Sequence, residues 1–265
     1  VAEDGTIYAL EKETHDSPPE GFEGIRVPCE LDSLLALSPD GKLLRKPIPI
    51  LSAFRDSSYA VLLATAEQPA KEIKPPPGST APQITRHPLN DDNDPLHTNC
   101  VRVLGRDLAA QFPQFKAGHV LISVRNLNVI AMLDPIAGRV EWAARGPWLA
   151  QHDPQFLENG HLLIFDNLGS PSGSRVLEYD PRTQSLPWSY PAKGEHRFYT
   201  SERGMNQRLP NGNTFVVVSE GARMFEVTSS GEMVWSYSLD HFIASGRRYA
   251  PEQLRFLPPG IRPRP

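Results

Sequence analysis

The chain has 265 residues, 39% apolar and 22% charged, with a net charge of −4. This is enough apolar material for a sizeable core in one domain, and an acidic chain with no Lys/Arg run argues against a nucleic-acid partner. No stretch approaches the roughly 20 apolar residues that a membrane-spanning helix requires. Cys29 and Cys100 are too few for a disulfide framework and read as two buried thiols in preference to one bridge.

In chain order, the first element is the strand DGTIYAL (4–10), followed by a polar, Pro/Gly-rich loop (14–24). DSLLALSPDGKLLRKPI (32–48) then reads as a hairpin with Pro39-Asp40-Gly41 at its turn. Residues 50–67 break the strand rhythm and loosely fit a helical period, which predicts a short helix. A Pro-rich connection over 72–94 has no periodicity. Residues 50–96 together form an insertion in a domain spanning 1–244, and 245–265 is a Pro/Arg tail without strand pattern, expected to wrap the outside or to be disordered.

From Asp94 onward the chain repeats itself. The stretches 116–142, 158–188 and 210–235 each run from a glycine-started apolar strand through a hairpin to a tryptophan: Trp142, Trp188 and Trp235, which are 46 and 47 residues apart. The hairpin glycines Gly138 and Gly231 have Gln184 between them at the same position. A short opening strand precedes each copy (97–104, 152–157, 204–209). Four strands repeating every 40–50 residues is the signature of a β-propeller blade, so the expected class is all-β. Gly5 matches Gly118, Gly160 and Gly212. The chain thus starts mid-blade, with the strand before Gly5 missing, and Val1 reads as the start of a fragment or a processed form.

Opening strands of propeller blades line the central channel, so their first residues converge. Two of the three begin with histidine: His97 in DPLHTN and His152 in AQHDP. Seven residues after each second-strand glycine stand Arg125, Asn167 and Ser219. Two imidazoles, an arginine fork and amides make a coherent anion site, and a neutral imidazole serves as nucleophile or base near neutral pH. Asp153 adjoins His152, but neighbours on a strand face opposite ways. His119 and His161, each directly after its glycine, read as strand-edge caps, and the tryptophans as packing between blades. A metal held by His97, His152 and Asp166 is an alternative without supporting ligand spacing.

The ordered set HTN, SVR, QHD and FDN, over roughly 94–240, resembles the bacterial arylsulfotransferases. The resemblance implies a six-bladed propeller, about four blades of which are visible here, exported to the periplasm. The implied reaction moves a sulfuryl group from a phenolic sulfate donor to a phenol acceptor through a sulfated histidine, without cofactor, metal or nucleotide sulfate donor. By motif, His152 would be the nucleophile, and His97, Asn99 and Arg125 would hold the sulfuryl oxygens or assist the leaving phenolate. Asn99, Asn167 and Arg203 are the expected substrate-binding residues. The family's further histidine, in an earlier blade, would precede Gly5, and His15 is a poor substitute. Two other readings remain at this stage: a non-catalytic quinoprotein-like propeller serving as binding or assembly scaffold, and a quinone-dependent dehydrogenase.

Overall fold

The computed structural model describes residues 1–65, 93–190, 196–250 and 253–254. Most of the Pro-rich connection expected over 72–94, the last two residues of the 50–67 helical segment, and 251–252 and 255–265 of the tail lie outside them. Fifteen strands form four antiparallel sheets. The first holds β1 (Ile7–His15), β2 (Cys29–Leu37) and β3 (Ile48–Pro49). The second holds β4 (Thr98–Val103), β5 (Val120–Val124), β6 (Val129–Asp134) and β7 (Arg139–Arg145). The third holds β8 (His152–Phe156), β9 (Leu162–Ser170), β10 (Gly173–Asp180) and β11 (Ser185–Tyr190). The fourth holds β12 (Met205–Arg208), β13 (Thr214–Val218), β14 (Arg223–Val227) and β15 (Met233–Ser238).

Each sheet is consecutive in sequence, so every connection inside it is a hairpin. The repeating glycine has a backbone reason. Gly5, Gly118, Gly160 and Gly212 sit two residues before a strand or nearly so, at φ between +82° and +85°, a region where a Cβ is strained. The outer hairpins repeat more finely still. Trp142 faces Met132, Trp188 faces Glu178 and Trp235 faces Glu226, and in all three a register shift follows at once. Gln184 adopts φ +59°, close to the +69° of Gly138. The hairpin geometry is therefore kept without the glycine.

β5 and most of β9 are buried on both faces because the second and third sheets each lie between two others, whereas β2 of the first sheet alternates. Val120, Ile122 and Val124 of β5 pack toward β2 and α1 (Ile50–Arg55) with Leu34, Leu51 and Phe54. Leu121 points the other way, joining Leu162, Ile164, Leu177 and the buried Trp148. Leu163, Phe165 and Val176 then meet Val216, Val218 and Phe225 of the fourth sheet. Burying such side chains stabilises the stack by roughly 1.5–3 kcal/mol each. Helix α1 carries no side-chain cap and owes its stability to four buried apolar residues rather than to propensity. The structure establishes four stacked sheets rather than a closed ring of blades.

Two expectations are refined here. The first sheet has three strands, and β1, the counterpart of the second strands β5, β9 and β13, is its edge. The 32–48 hairpin begins earlier, at Cys29, and pairs fully only near its turn and at Ile48–Pro49. Cys29 and Cys100 are free thiols, with burial pushing Cys100 up to about 12. The described part of the tail does more than wrap the outside. Arg247 bonds the Asn206 carbonyl and the Asp153 carboxylate, and Arg248 lies over Trp235. No helix of the described residues is long and apolar enough to cross a membrane.

Candidate active site

Backbone pairing brings the opening strands' first residues together. The Arg125 N–H donates to the His97 carbonyl (3.2 Å) and the Asn126 N–H to the Leu96 carbonyl (3.1 Å). The Asn99 side chain donates from Nδ2 to the Gln151 carbonyl (3.0 Å), which immediately precedes His152. Asn128, left-handed at φ +56°, accepts the Ala150 N–H on its side-chain oxygen at 2.7 Å. Gln151 is fully buried, and its Nε2 donates to Ser123 Oγ and the Val129 carbonyl. The approach to His152 is thus fixed on both sides by the second sheet.

His152 is 9% exposed. Its Nδ1 lies 2.8 Å from Asn167 Oδ1 and 3.0 Å from the Ala150 carbonyl oxygen. A carbonyl only accepts. The Asn167 amide is oriented because its Nδ2 donates to the carbonyls of Thr200 (3.0 Å) and Arg203 (2.5 Å), leaving Oδ1 toward the ring. Both neighbours of Nδ1 are therefore acceptors, so Nδ1 carries the proton and Nε2 carries the lone pair. Burial pulls the His152 pKa down to about 3; the Asn167 and Ala150 hydrogen bonds oppose this, while the charges of Arg125 and His97 add to it. At neutral pH the ring is uncharged.

His97 stands at the place that Ala150 (φ +53°) holds in the third sheet, the Leu96 carbonyl accepting the Asn126 N–H as the Leu149 carbonyl accepts that of Leu168. The His97 backbone is left-handed (φ +51°), and its N–H donates to Asp94 Oδ1 at 2.9 Å. Nδ1 lies 2.7 Å from Asp94 Oδ2, an ion-pair distance at an angle poor for a hydrogen bond, and the side chain is 40% exposed. Burial raises the Asp94 carboxyl, but His97 and Lys12 outweigh it and hold it below the usual range. Arg125 is 6% exposed, with its guanidinium on Asn126 Oδ1 at 2.7 Å.

The structure thus groups His97, Asn99, Arg125, His152 and Asn167. Arg203 enters through its backbone carbonyl, while its exposed guanidinium lies 5.3 Å from the Phe242 ring. The Asn167 amide is committed to protein groups at both ends, which makes it a holder of His152 rather than a substrate contact. Asp153 does not orient the ring. It faces away, accepting from Arg102 (2.5 Å), Arg247 (2.7 Å) and the Asn206 N–H (3.0 Å), which pins the bulge between His152 and Gln155. The metal alternative loses its third ligand, because Asp166 is taken by Arg175 (2.6 Å) and the N–H groups of Leu149 and Gly169. Among the described residues no cluster fit to hold a metal occurs. His119 and His161 pair with Asp134 and Glu178 in their own sheets, as strand-edge residues. Sequence reasoning missed Asp94 and Arg247. Asp94 had a local signal, three residues before His97, whereas Arg247 is 94 residues from its partner.

The family model for arylsulfotransferase (ASST) matches residues 71–240. The chain belongs to the arylsulfotransferase family. No curated protein matches it. Among solved structures, a Bacteroides caccae protein of unknown function is similar at a TM-score of 0.43 and 13% identity, over 79% of this chain and 55% of that one. Virginiamycin B lyase from Staphylococcus aureus is similar at 0.40 and 9% identity, over 88% and 61%. The WD40 β-propeller domain of Doa1 is similar at 0.39 and 14%, over 54% and 41%. The family member described here spans little more than half the length of the first of these structures.

Proposed function

We propose that the protein is an arylsulfotransferase that carries a sulfuryl group from a phenolic sulfate ester to a phenol by way of His152. The observation that carries this reading is the His152 tautomer: Nδ1–H is held by two acceptors, so the Nε2 lone pair is presented uncharged beside Arg125 and His97. In the first half-reaction Nε2 attacks sulfur, the N–S bond forms, and the S–O bond to the aryl group breaks with its electrons leaving on the phenolate. The ring then bears positive charge, which Asn167 Oδ1 and the Ala150 carbonyl stabilise through Nδ1–H. Negative charge spread over the sulfuryl oxygens is met by Arg125, as in other transfers through a loose trigonal transition state. His97, held against Asp94, is placed to give a proton to the departing phenolate and recover one from the incoming phenol. Asn99 Oδ1, buried without a partner among the described residues, is an acceptor left for the phenol hydroxyl. A second phenol reverses these steps, and splitting the transfer in two lowers each barrier. Export to the periplasm belongs to the same proposal.

A scaffold has no need for such a converging polar set, which is why the catalytic reading is preferred. The test is kinetic. With 4-nitrophenyl sulfate as donor and phenol as acceptor, double-reciprocal plots at several acceptor concentrations should be parallel, the pattern of a covalent intermediate. Converging lines, or a requirement for a nucleotide sulfate donor, would contradict it.

A further inference from the structure

The Asn167 amide is only as well fixed as the two carbonyls it grips, and these belong to a short segment, residues 200–203, between the third and fourth sheets. That segment has no regular secondary structure to hold it. Its order comes from side chains of the flanking strands and turns, Glu220 foremost among them. Glu220, in the turn between β13 and β14, accepts the Ser201 N–H, the Glu202 N–H (3.1 Å), and contacts from Ser201 Oγ (2.9 Å) and Thr200 Oγ1 (3.0 Å). Neighbouring contacts finish the job: the Gly204 N–H donates to Ser219 Oγ at 3.1 Å, and the Thr200 N–H to Ser174 Oγ at 3.0 Å. Arg203 is left-handed at φ +58°, the kink that turns its carbonyl back toward Asn167.

We infer that Glu220 is a positioning residue for His152, acting at a distance through the 200–203 segment and Asn167. A carboxylate gathering two N–H groups and the Ser201 hydroxyl makes charge-assisted bonds, about twice as strong as neutral ones. Those bonds aim the Thr200 and Arg203 carbonyls at Asn167 Nδ2. With Nδ2 so engaged, Asn167 cannot flip, and Oδ1 stays on His152 Nδ1. Without the latch, the amide is free to rotate and present Nδ2 to the ring. Nδ1 would then face a donor in Nδ2 and an acceptor in the Ala150 carbonyl, so the proton would divide between Nδ1 and Nε2 and the reacting lone pair would be lost from part of the molecules. The fourth sheet in this way sets the protonation pattern of a histidine that the third sheet carries.

The inference rests on His152 as the reacting group, but its first readout requires no transfer activity. Nitrogen NMR of histidine-labelled protein distinguishes a protonated from a lone-pair ring nitrogen. The wild type should show His152 in a single Nδ1–H form. Glu220→Ala should show a mixture of both tautomers, with kcat down by roughly 10–100-fold and KM changed much less. Glu220→Gln is isosteric, keeps acceptor oxygen for the hydroxyls and should recover much of both signals. It also serves as the reporting variant if Glu220→Ala does not fold. Asn167→Leu should weaken the Nδ1–H preference, leaving the Ala150 carbonyl as its one acceptor. If Glu220→Ala, or Glu220→Gln in its place, lowers Tm while the His152 nitrogens and kcat stay at wild-type values, Glu220 is merely structural and the inference is overturned. If the tautomer shifts as expected but no variant and no wild type transfers sulfuryl groups, the positioning chain stands and the proposed function fails.

Discussion

His97 and His152 lie near the openings of successive sheets, His97 at the place that Ala150 holds in the third, and their surroundings differ. Nδ1 of His97 faces the Asp94 carboxylate on a side chain 40% exposed, whereas Nδ1 of His152 faces a neutral amide and a carbonyl in the interior. A carboxylate beside an imidazole gives the ring a charged partner across which a proton can pass. A neutral acceptor in a dry setting fixes a tautomer without adding charge, suited to presenting a lone pair. The proposed division into acid and nucleophile thus rests on the partner of each Nδ1.

The strongest way to break this comparison is to remove the nucleophile. His152→Ala should lower transfer by more than roughly 10³-fold, whereas His97→Ala should leave measurable turnover with donors whose phenolates leave easily. Next in size, Asp94→Asn should cost about 10²-fold with donors of poorly leaving phenols and much less with 4-nitrophenyl sulfate. An equal loss with both donors would show that Asp94 does not act through the leaving group.

The depressed His152 pKa gives a third test, on stability. The unfolded chain binds a proton near the ordinary histidine value of about 6.5, while the folded site stays neutral down to about 3. Between those limits the unfolded state holds more protons, so stability falls as pH falls, by up to about 1.4 kcal/mol per pH unit, and levels off below the folded value. His152→Gln should lack that share of the slope, measured by urea unfolding from pH 7 to pH 4. The smallest effect concerns the scaffold alone. Gln184→Gly, at φ +59°, should stabilise by up to about 1 kcal/mol in denaturant titration, without altering transfer.

The sheets were legible because their punctuation is local. Each glycine at positive φ and each tryptophan ahead of a bulge marks a backbone event within a few residues, so spacing alone locates it. His97, Arg125 and His152 stood out by their place in the repeat, although the register sets His97 against Ala150 rather than against His152. What Nδ1 of His152 bonds to was not. Asn167 stood out by position, but its task depends on carbonyls 33 and 36 residues further on, and Glu220 and Arg247 act across sheets with no pattern joining them to the histidine. Asp153 shows the opposite hazard, a carboxylate adjacent in sequence whose bonds run to Arg102 and Arg247 instead.

The most direct measurement is peptide mass mapping of the protein after exposure to a phenolic sulfate with acceptor withheld. One sulfuryl group should be found on His152, bonded at Nε2, and it should disappear when phenol is added. Steady turnover with no label on His152, or with the label on His97, would contradict the assignment of lone pair and proton between the two rings.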